Sequence, residues 1–249
     1  MLIPQLQYLS LAMRRKDSTS KALGACFGVY LRNDFSAPIR LDLVPSLANV
    51  KHLRMRGTTP PMQATSLLAL ESVDIGWDEC ELMGPERRDD PDTQSFPRVE
   101  TLRIDCCLTG FHNIMSDWTR KWYEAFRNTL TCFPAVKYLR LLNVDKHDGT
   151  MDYPTYELDV THAVGMLAQQ CPGLVSLGVQ DGPWGCEGGL LMHTLTKVES
   201  LVLPEKIVMM LGADWMPPNL RRLEITDKDL GTDRKWAEDF SGLGIEVVE

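Results

Sequence analysis

The chain has no apolar run near the ~18 residues needed to cross a bilayer as a helix, which points away from a membrane-spanning protein. It has no Cys-x-x-Cys pair, and its seven cysteines make an odd count. Neither a closed disulfide framework nor a cysteine-bound zinc site fits that spacing. No Asn-x-Ser/Thr sequon occurs either. Together these absences favour a cytoplasmic or nuclear home, with reduced and mostly buried thiols. Positive charge is in deficit: 26 Lys and Arg stand against 34 Asp and Glu, a formal net charge of −8. Nucleic acid, which is captured largely through its phosphates, is therefore a disfavoured partner.

The chemistry-bearing residue types are present without the spacing that makes a site. The five histidines, His52, His112, His147, His162 and His193, show no His-Glu-x-x-His pattern and read as ordinary surface or core residues. The glycine-rich stretch 182–189 lacks the Lys-Ser/Thr ending of a phosphate loop, so it reads as a turn. Vicinal Cys106 and Cys107 read as buried thiols before they read as a redox pair. The expectation is a chain with no catalytic residues, no cofactor and no metal, and not an enzyme.

What is present is a core and a repeat. Apolar residues make up 44% of the 249 positions, enough for a folded chain with a sizeable interior. The N-terminal stretch through Lys16 is Leu-rich, but Gln5 and Gln7 interrupt it and Arg14, Arg15 and Lys16 follow the apolar part. That order is wrong for a signal peptide, so the segment is read as folded sequence.

A pattern of the form L-x-x-L-x-L, with Val, Ile or Met allowed for Leu, recurs throughout. It occurs at Leu6-Leu9-Leu11, Val50-Leu53-Met55, Leu70-Val73-Ile75 and Val99-Leu102-Ile104. It returns at Val136-Leu139-Leu141, Leu174-Leu177-Val179, Val198-Leu201-Leu203, Leu220-Leu223-Ile225 and Phe240-Leu243-Ile245. Five of the steps, from 50 to 70, 70 to 99, 174 to 198, 198 to 220 and 220 to 240, lie within about 20–29 residues, the range of short strand-and-helix repeats. The steps from 99 to 136 and 136 to 174 are longer, and the step from 6 to 50 leaves room for a degenerate repeat near Val29, Leu31 or Leu41.

Proline punctuates the pattern at Pro4, Pro97, Pro134, Pro172 and Pro218, each just ahead of a predicted strand, where it stops a helix and sets an extended entry. The long steps carry helical signals. Trp118, Trp122, Phe126 and Leu130 recur every four residues behind the candidate caps Ser116 and Asp117, which predicts one amphipathic helix. Asp159 opens a second, with Val160, Ala163, Val164 and Leu167 inward. Thr232 and Asp233 open a third that buries Trp236 and Phe240. Strand, turn, helix, strand is the unit, since parallel strands need a crossover.

These repeats resemble the leucine-rich-repeat family over essentially the whole chain. The Cys171-Pro172-Gly173-Leu174 opening, followed by Leu177 and Val179, is similar to the cysteine-containing repeats found beside F-box domains. The Phe96-Pro97-Arg98-Val99 and Phe133-Pro134-Ala135-Val136 forms resemble those of fungal F-box and leucine-rich-repeat proteins. The family pattern places Asn or Cys three residues beyond the last Leu. Here Cys107 fits, while Thr58, Asp78, Val144 and Gly182 depart from it. Leu203-Pro204-Glu205-Lys206-Ile207 superficially resembles the opening of an F-box. It already belongs to a repeat strand, however, and is read as a strand-to-helix turn. No F-box is recognised, and the first pattern match leaves no room for a cap ahead of it.

The expected fold is therefore an α/β solenoid forming a single domain over 1–249, with a curved parallel sheet on the concave side and helices and irregular segments on the convex side. Side chains alternate along a strand, so the residues between the apolar anchors face away from the core. The middle position reads Ser10, Arg54, Asp74, Arg103, Arg140, Gly178, Val202 and Glu224, flanked by His52 and Arg56, Tyr138 and Leu142, and Arg222. Arg54, Arg56, Arg103, Tyr138 and Arg140 are the candidate partner-binding residues, since Arg and Tyr are favoured at interface hot spots. The competing reading is a solvated face on which Asp74 and Asp105 neutralise the arginines. The loop 85–92 carries mixed charge and reads as a solvated insertion. The expected partner is a protein with an acidic segment, not nucleic acid, a membrane or a small molecule. The resemblance implies substrate recognition in an F-box-type ubiquitin ligase; the alternative is a stand-alone repeat scaffold or regulatory protein.

Overall fold

A computed structural model describes residues 8–12, 50–56, 68–77, 95–106, 118–143, 158–180, 184–185, 189–226 and 235–248. Nine strands form one sheet: β1 (Tyr8–Ala12), β2 (His52–Arg56), β3 (Ser72–Trp77), β4 (Thr101–Cys106), β5 (Tyr138–Asn143), β7 (Ser176–Gln180), β9 (Ser200–Pro204), β10 (Arg222–Thr226) and β11 (Glu246–Val248). They lie side by side in chain order, and every pairing is parallel. The arrangement is an open, solenoid-like α/β sheet. Two short strands, β6 (Leu158–Asp159) and β8 (Trp184–Gly185), pair separately.

The register aligns the apolar anchors. Leu53, Val73, Leu102, Leu139, Leu177, Leu201 and Leu223 follow one another across the sheet and are all buried. Ile75, Ile104, Leu141, Val179, Leu203 and Ile225 make a second buried row. Fully burying one such side chain contributes about 1.5–3 kcal/mol; the first row runs from β2 to β10 and the second from β3 to β10.

Helix α1 (Trp118–Cys132) packs on these rows through Trp122, Phe126 and Leu130, all fully buried, as the four-residue spacing predicts. Trp122 and Phe126 stack at 4.9 Å between centroids. The opposite side of the helix carries an exposed Arg120–Glu124 pair at 2.6 Å. Helix α2 (Val160–Gln170) begins directly after Asp159 and buries Ala163, Val164 and Leu167. A ring contact of 4.3 Å between Tyr123 and His162 joins the two helices. Helix α3 (Glu205–Leu211) leaves β9 immediately after Pro204, so the Leu203–Ile207 segment is the strand-to-helix turn expected of it. Between the remaining strands lie two 3-10 turns, Gly189–Thr194 and Ala213–Trp215, which no periodicity announced. Ser116, Asp117, Thr232, Asp233, the loop 85–92 and the region of Val29, Leu31 and Leu41 lie outside the described residues, as does most of the stretch 182–189.

The prolines have a more specific task than helix stopping. A tight turn precedes the strands, closed by the Val99 amide on the Phe96 carbonyl at 3.2 Å, Val136 on Phe133 at 3.3 Å and Leu174 on Cys171 at 3.0 Å. Val198 on Leu195 and Leu220 on Pro217 repeat it at 3.1 Å. Pro97, Pro134, Pro172 and Pro218 occupy the second position of four of these turns, where the fixed φ of proline is already correct. Phe96 and Phe133, the residues that open two of them, stack on each other at 5.5 Å.

One expectation is corrected. Phe240-Leu243-Ile245 is not a strand. Phe240 is a fully buried residue of helix α4 (Lys235–Gly242), Leu243 is 62% exposed, and the strand is β11, whose Val247 pairs with Leu223. The true frame starts four residues later, at Gly244. Gly244 has φ +77, a left-handed conformation that ends the helix at little steric cost for glycine. A short amphipathic helix and a repeat strand share apolar spacings of three and five, which is why the pattern matched out of frame. Trp236, expected to be buried with Phe240, is half-buried and meets it edge-on at 6.0 Å.

Candidate functional site

The sheet face away from the buried rows carries three lines of side chains. The middle line runs Ser10, Arg54, Asp74, Arg103, Arg140 in direct register, and continues through Gly178, Val202 and Glu224 to Val248. This is the order the spacing predicts. A second line, at the strand entries, holds His52, Ser72, Thr101, Tyr138, Ser176, Ser200 and Arg222. Arg56 lies on the third line beside Gly76, and its side chain is outside the described set. Arg140 and Tyr138 are exposed, Tyr138 at 47%, while Arg54 and Arg103 are half-buried.

The charges on this face are compensated unevenly. Arg103 donates from Nε to Asp105 at 3.0 Å, two residues along its own strand. Arg222 lies 3.8 Å from Glu224 in the same relation. Arg54 sits opposite Asp74 in the register, although no ion pair closes between them. Among the described residues, no hydrogen bond or ion pair engages the Arg140 guanidinium. The local-neutralisation reading therefore holds for Arg103 through Asp105, and it does not extend to Arg140.

At the entry rim, charges pair across neighbouring strands. Lys51 donates to Glu71 at 2.8 Å, Lys137 to Glu100 at 2.6 Å, and Arg221 lies 3.8 Å from Glu199. The Lys51 contact holds the Glu71 carboxyl below its ordinary value, and the Glu100 contact raises the Lys137 ammonium. These residues also carry a repeated backbone fork. The amides of Glu71 and Ser72 both donate to the Lys51 carbonyl, and those of Lys137 and Tyr138 both donate to the Glu100 carbonyl. The rim is hidden in the sequence because its signal, one charged residue just ahead of a strand, is interrupted by Val175 and by Ile245.

Elsewhere the geometry is structural. Cys132 and Cys171 are buried cysteines; the Cys132 thiol donates to the Asn128 carbonyl at 3.2 Å, and burial pushes the Cys171 thiol up to about 11. His52, His162 and His193 are exposed, and among the described residues no group of His, Cys, Asp or Glu could hold a metal ion. Among the same residues, no helix is long and apolar enough to cross a membrane. No family model matches the chain, and no curated protein matches it.

Proposed function

We propose that this chain is a protein-binding module built of leucine-rich repeats, and that the sheet face bearing Arg54, Arg56, Arg103, Tyr138 and Arg140 engages an acidic segment of a partner protein. The observation that carries this reading is the common register line of Arg54, Arg103 and Arg140, with Tyr138 exposed beside the last. Adjacent strands are about 4.8 Å apart, so these side chains form one patch on a protein that is acidic overall. Arg and Tyr are also the residue types that most often dominate binding energy at interfaces.

The test is charge reversal. Arg54→Glu, Arg103→Glu and Arg140→Glu together are expected to abolish capture of an acidic partner while a cooperative melting transition shows the chain still folded; the ion pair removed is Arg103–Asp105. Undiminished capture by the triple variant refutes the face.

Within this reading, the Cys171-Pro172 and Phe-Pro repeats support a role in substrate recognition for an F-box-type ubiquitin ligase. The endogenous protein would then run larger than this 28.1 kDa chain by a domain and co-purify with a ligase adaptor. A single band at the size of this chain, without adaptor, would make it a stand-alone scaffold instead.

A further inference from the structure

The arginines of the outer register line do not stand alike. To capture a partner's carboxylate, Arg103 must first give up Asp105. Among the described residues Arg140 has no such bond to break, and neither has Arg54, but Arg54 faces the carboxylate of Asp74 on the next strand whereas Arg140 faces none. Its register neighbours are Arg103 on one side and Gly178 on the other, and two residues along its own strand is Leu142. The carboxylate on the diagonal, Asp105, is already held by Arg103 at 3.0 Å.

Gly178 accounts for the position of the Arg140 stem. A Cβ at residue 178 would lie 3.3 Å from the Arg140 Cγ, 3.6 Å from the Val202 Cβ and 3.8 Å from the Leu139 carbonyl oxygen. The Arg140 stem thus rests in the space a side chain would fill. On the strand beyond, Val202 is buried at 5% exposure although it belongs to the outward line. The result is a guanidinium that, among the described residues, has no hydrogen-bond or ion-pair partner and whose stem lies over Gly178, with Tyr138 and Ser176 paired on the entry line alongside.

We propose that Arg140, seated on Gly178, is the anchor that grips one carboxylate of an extended acidic protein segment laid across the strands, and that Gly178 sets the anchor's position. This rests on the acidic-partner reading above and narrows it to one site. A guanidinium grips a carboxylate through two parallel N–H···O bonds, a geometry that lysine cannot reproduce. The sheet dictates the segment's length. Nine strands at ~4.8 Å spacing span about 38 Å, which about twelve extended residues cover.

The test uses the full chain and a fluorescent peptide of about twelve alternating Glu and Ala residues, the length set by that span, with a Gln-for-Glu peptide as control, read by anisotropy at low salt. Arg140→Gln is expected to weaken the Glu peptide by about tenfold or more, and Arg103→Gln by less than about threefold, because charge-assisted forked bonds are the strong ones. Arg140→Lys, which keeps the charge and most of the stem, is expected to fall near Arg140→Gln. Gly178→Ala keeps every charge yet is expected to weaken binding by about threefold or more through the displaced stem. Equal losses for Arg103→Gln and Arg140→Gln, or wild-type binding by Arg140→Lys, overturn the anchor. Wild-type binding by Gly178→Ala with a weak Arg140→Gln overturns the seat and leaves the acidic face standing. If the unaltered chain does not distinguish the Glu from the Gln peptide, the acidic-partner reading falls and the anchor with it.

Discussion

Cys171 opens the turn into β7 with 1% of its surface exposed, and that burial pushes its thiol up to about 11. The thiolate is the nucleophile in alkylation, so at pH 8 this residue is expected to react with iodoacetamide at least tenfold more slowly in the native chain than in urea, read by peptide mass spectrometry. Unslowed labelling would mean that the turn opens readily. The linkage has a definite sign. Between pH 9 and about 11 the unfolded thiol ionises while the folded one stays protonated, so stability falls as pH rises through that window. The rim pairs act in other windows. The lowered Glu71 carboxyl supports the fold above its ordinary value and loses that support on acidification. The raised Lys137 ammonium supports it up to its ordinary value and loses that support as pH climbs further. Residue identity announced the outward arginines; it could not say which had a partner. Arg103 and Arg140 occupy the same position of adjacent repeats, and the carboxylate two residues on, present as Asp105 and replaced by Leu142, is one difference between them; the Gly178 beside Arg140 is the other.

At the scale of elements, the most informative unit is the turn before each strand. Its proline narrows the unfolded ensemble, and its fixed φ already suits the second turn position; in the turn that lacks proline, the Thr196 amide at that position donates to the Thr194 carbonyl at 2.9 Å. Pro172→Ala is therefore expected to lower stability by about 0.4–1 kcal/mol in a urea titration, without altering the slope. A loss above about 3 kcal/mol would show that the ring packs as well as constrains. Helices α1 and α2 were legible because bulky apolar residues recur at steps of three and four over three or more turns. Helix α4 shows the limit. With eight residues and two buried or half-buried aromatics, its spacing is equally a strand's, and only the Gly244 turn and the pairing of Val247 with Leu223 decide the frame. The two 3-10 turns are too short to carry a period at all.

Across the sheet, each described strand pairs with its neighbours in chain order, so a side chain's worth depends on its place in the stack. Leu139 lies in the middle, flanked by Leu102 and Leu177 and 1% exposed. Val247 lies on β11, where Leu223 is its partner on one side and no further strand follows among the described residues. Leu139→Ala is expected to cost about 2–5 kcal/mol, and Val247→Ala less than about 1.5 kcal/mol, in denaturant unfolding. Equal costs would argue that the stack does not unfold as a chain of neighbours.

The sequence by itself determined the repeating unit, the two buried rows and the order of residues on the outward line, because parallel pairing in register converts a recurrent L-x-x-L-x-L directly into rows. The tertiary structure alone decided three things: the frame of the last repeat, the ion pairing along the entry rim, and the seating of the Arg140 stem over Gly178. Each depends on distances between residues 20 or more positions apart, and those distances are set by how neighbouring repeats stack, a quantity that no spacing within a single repeat contains.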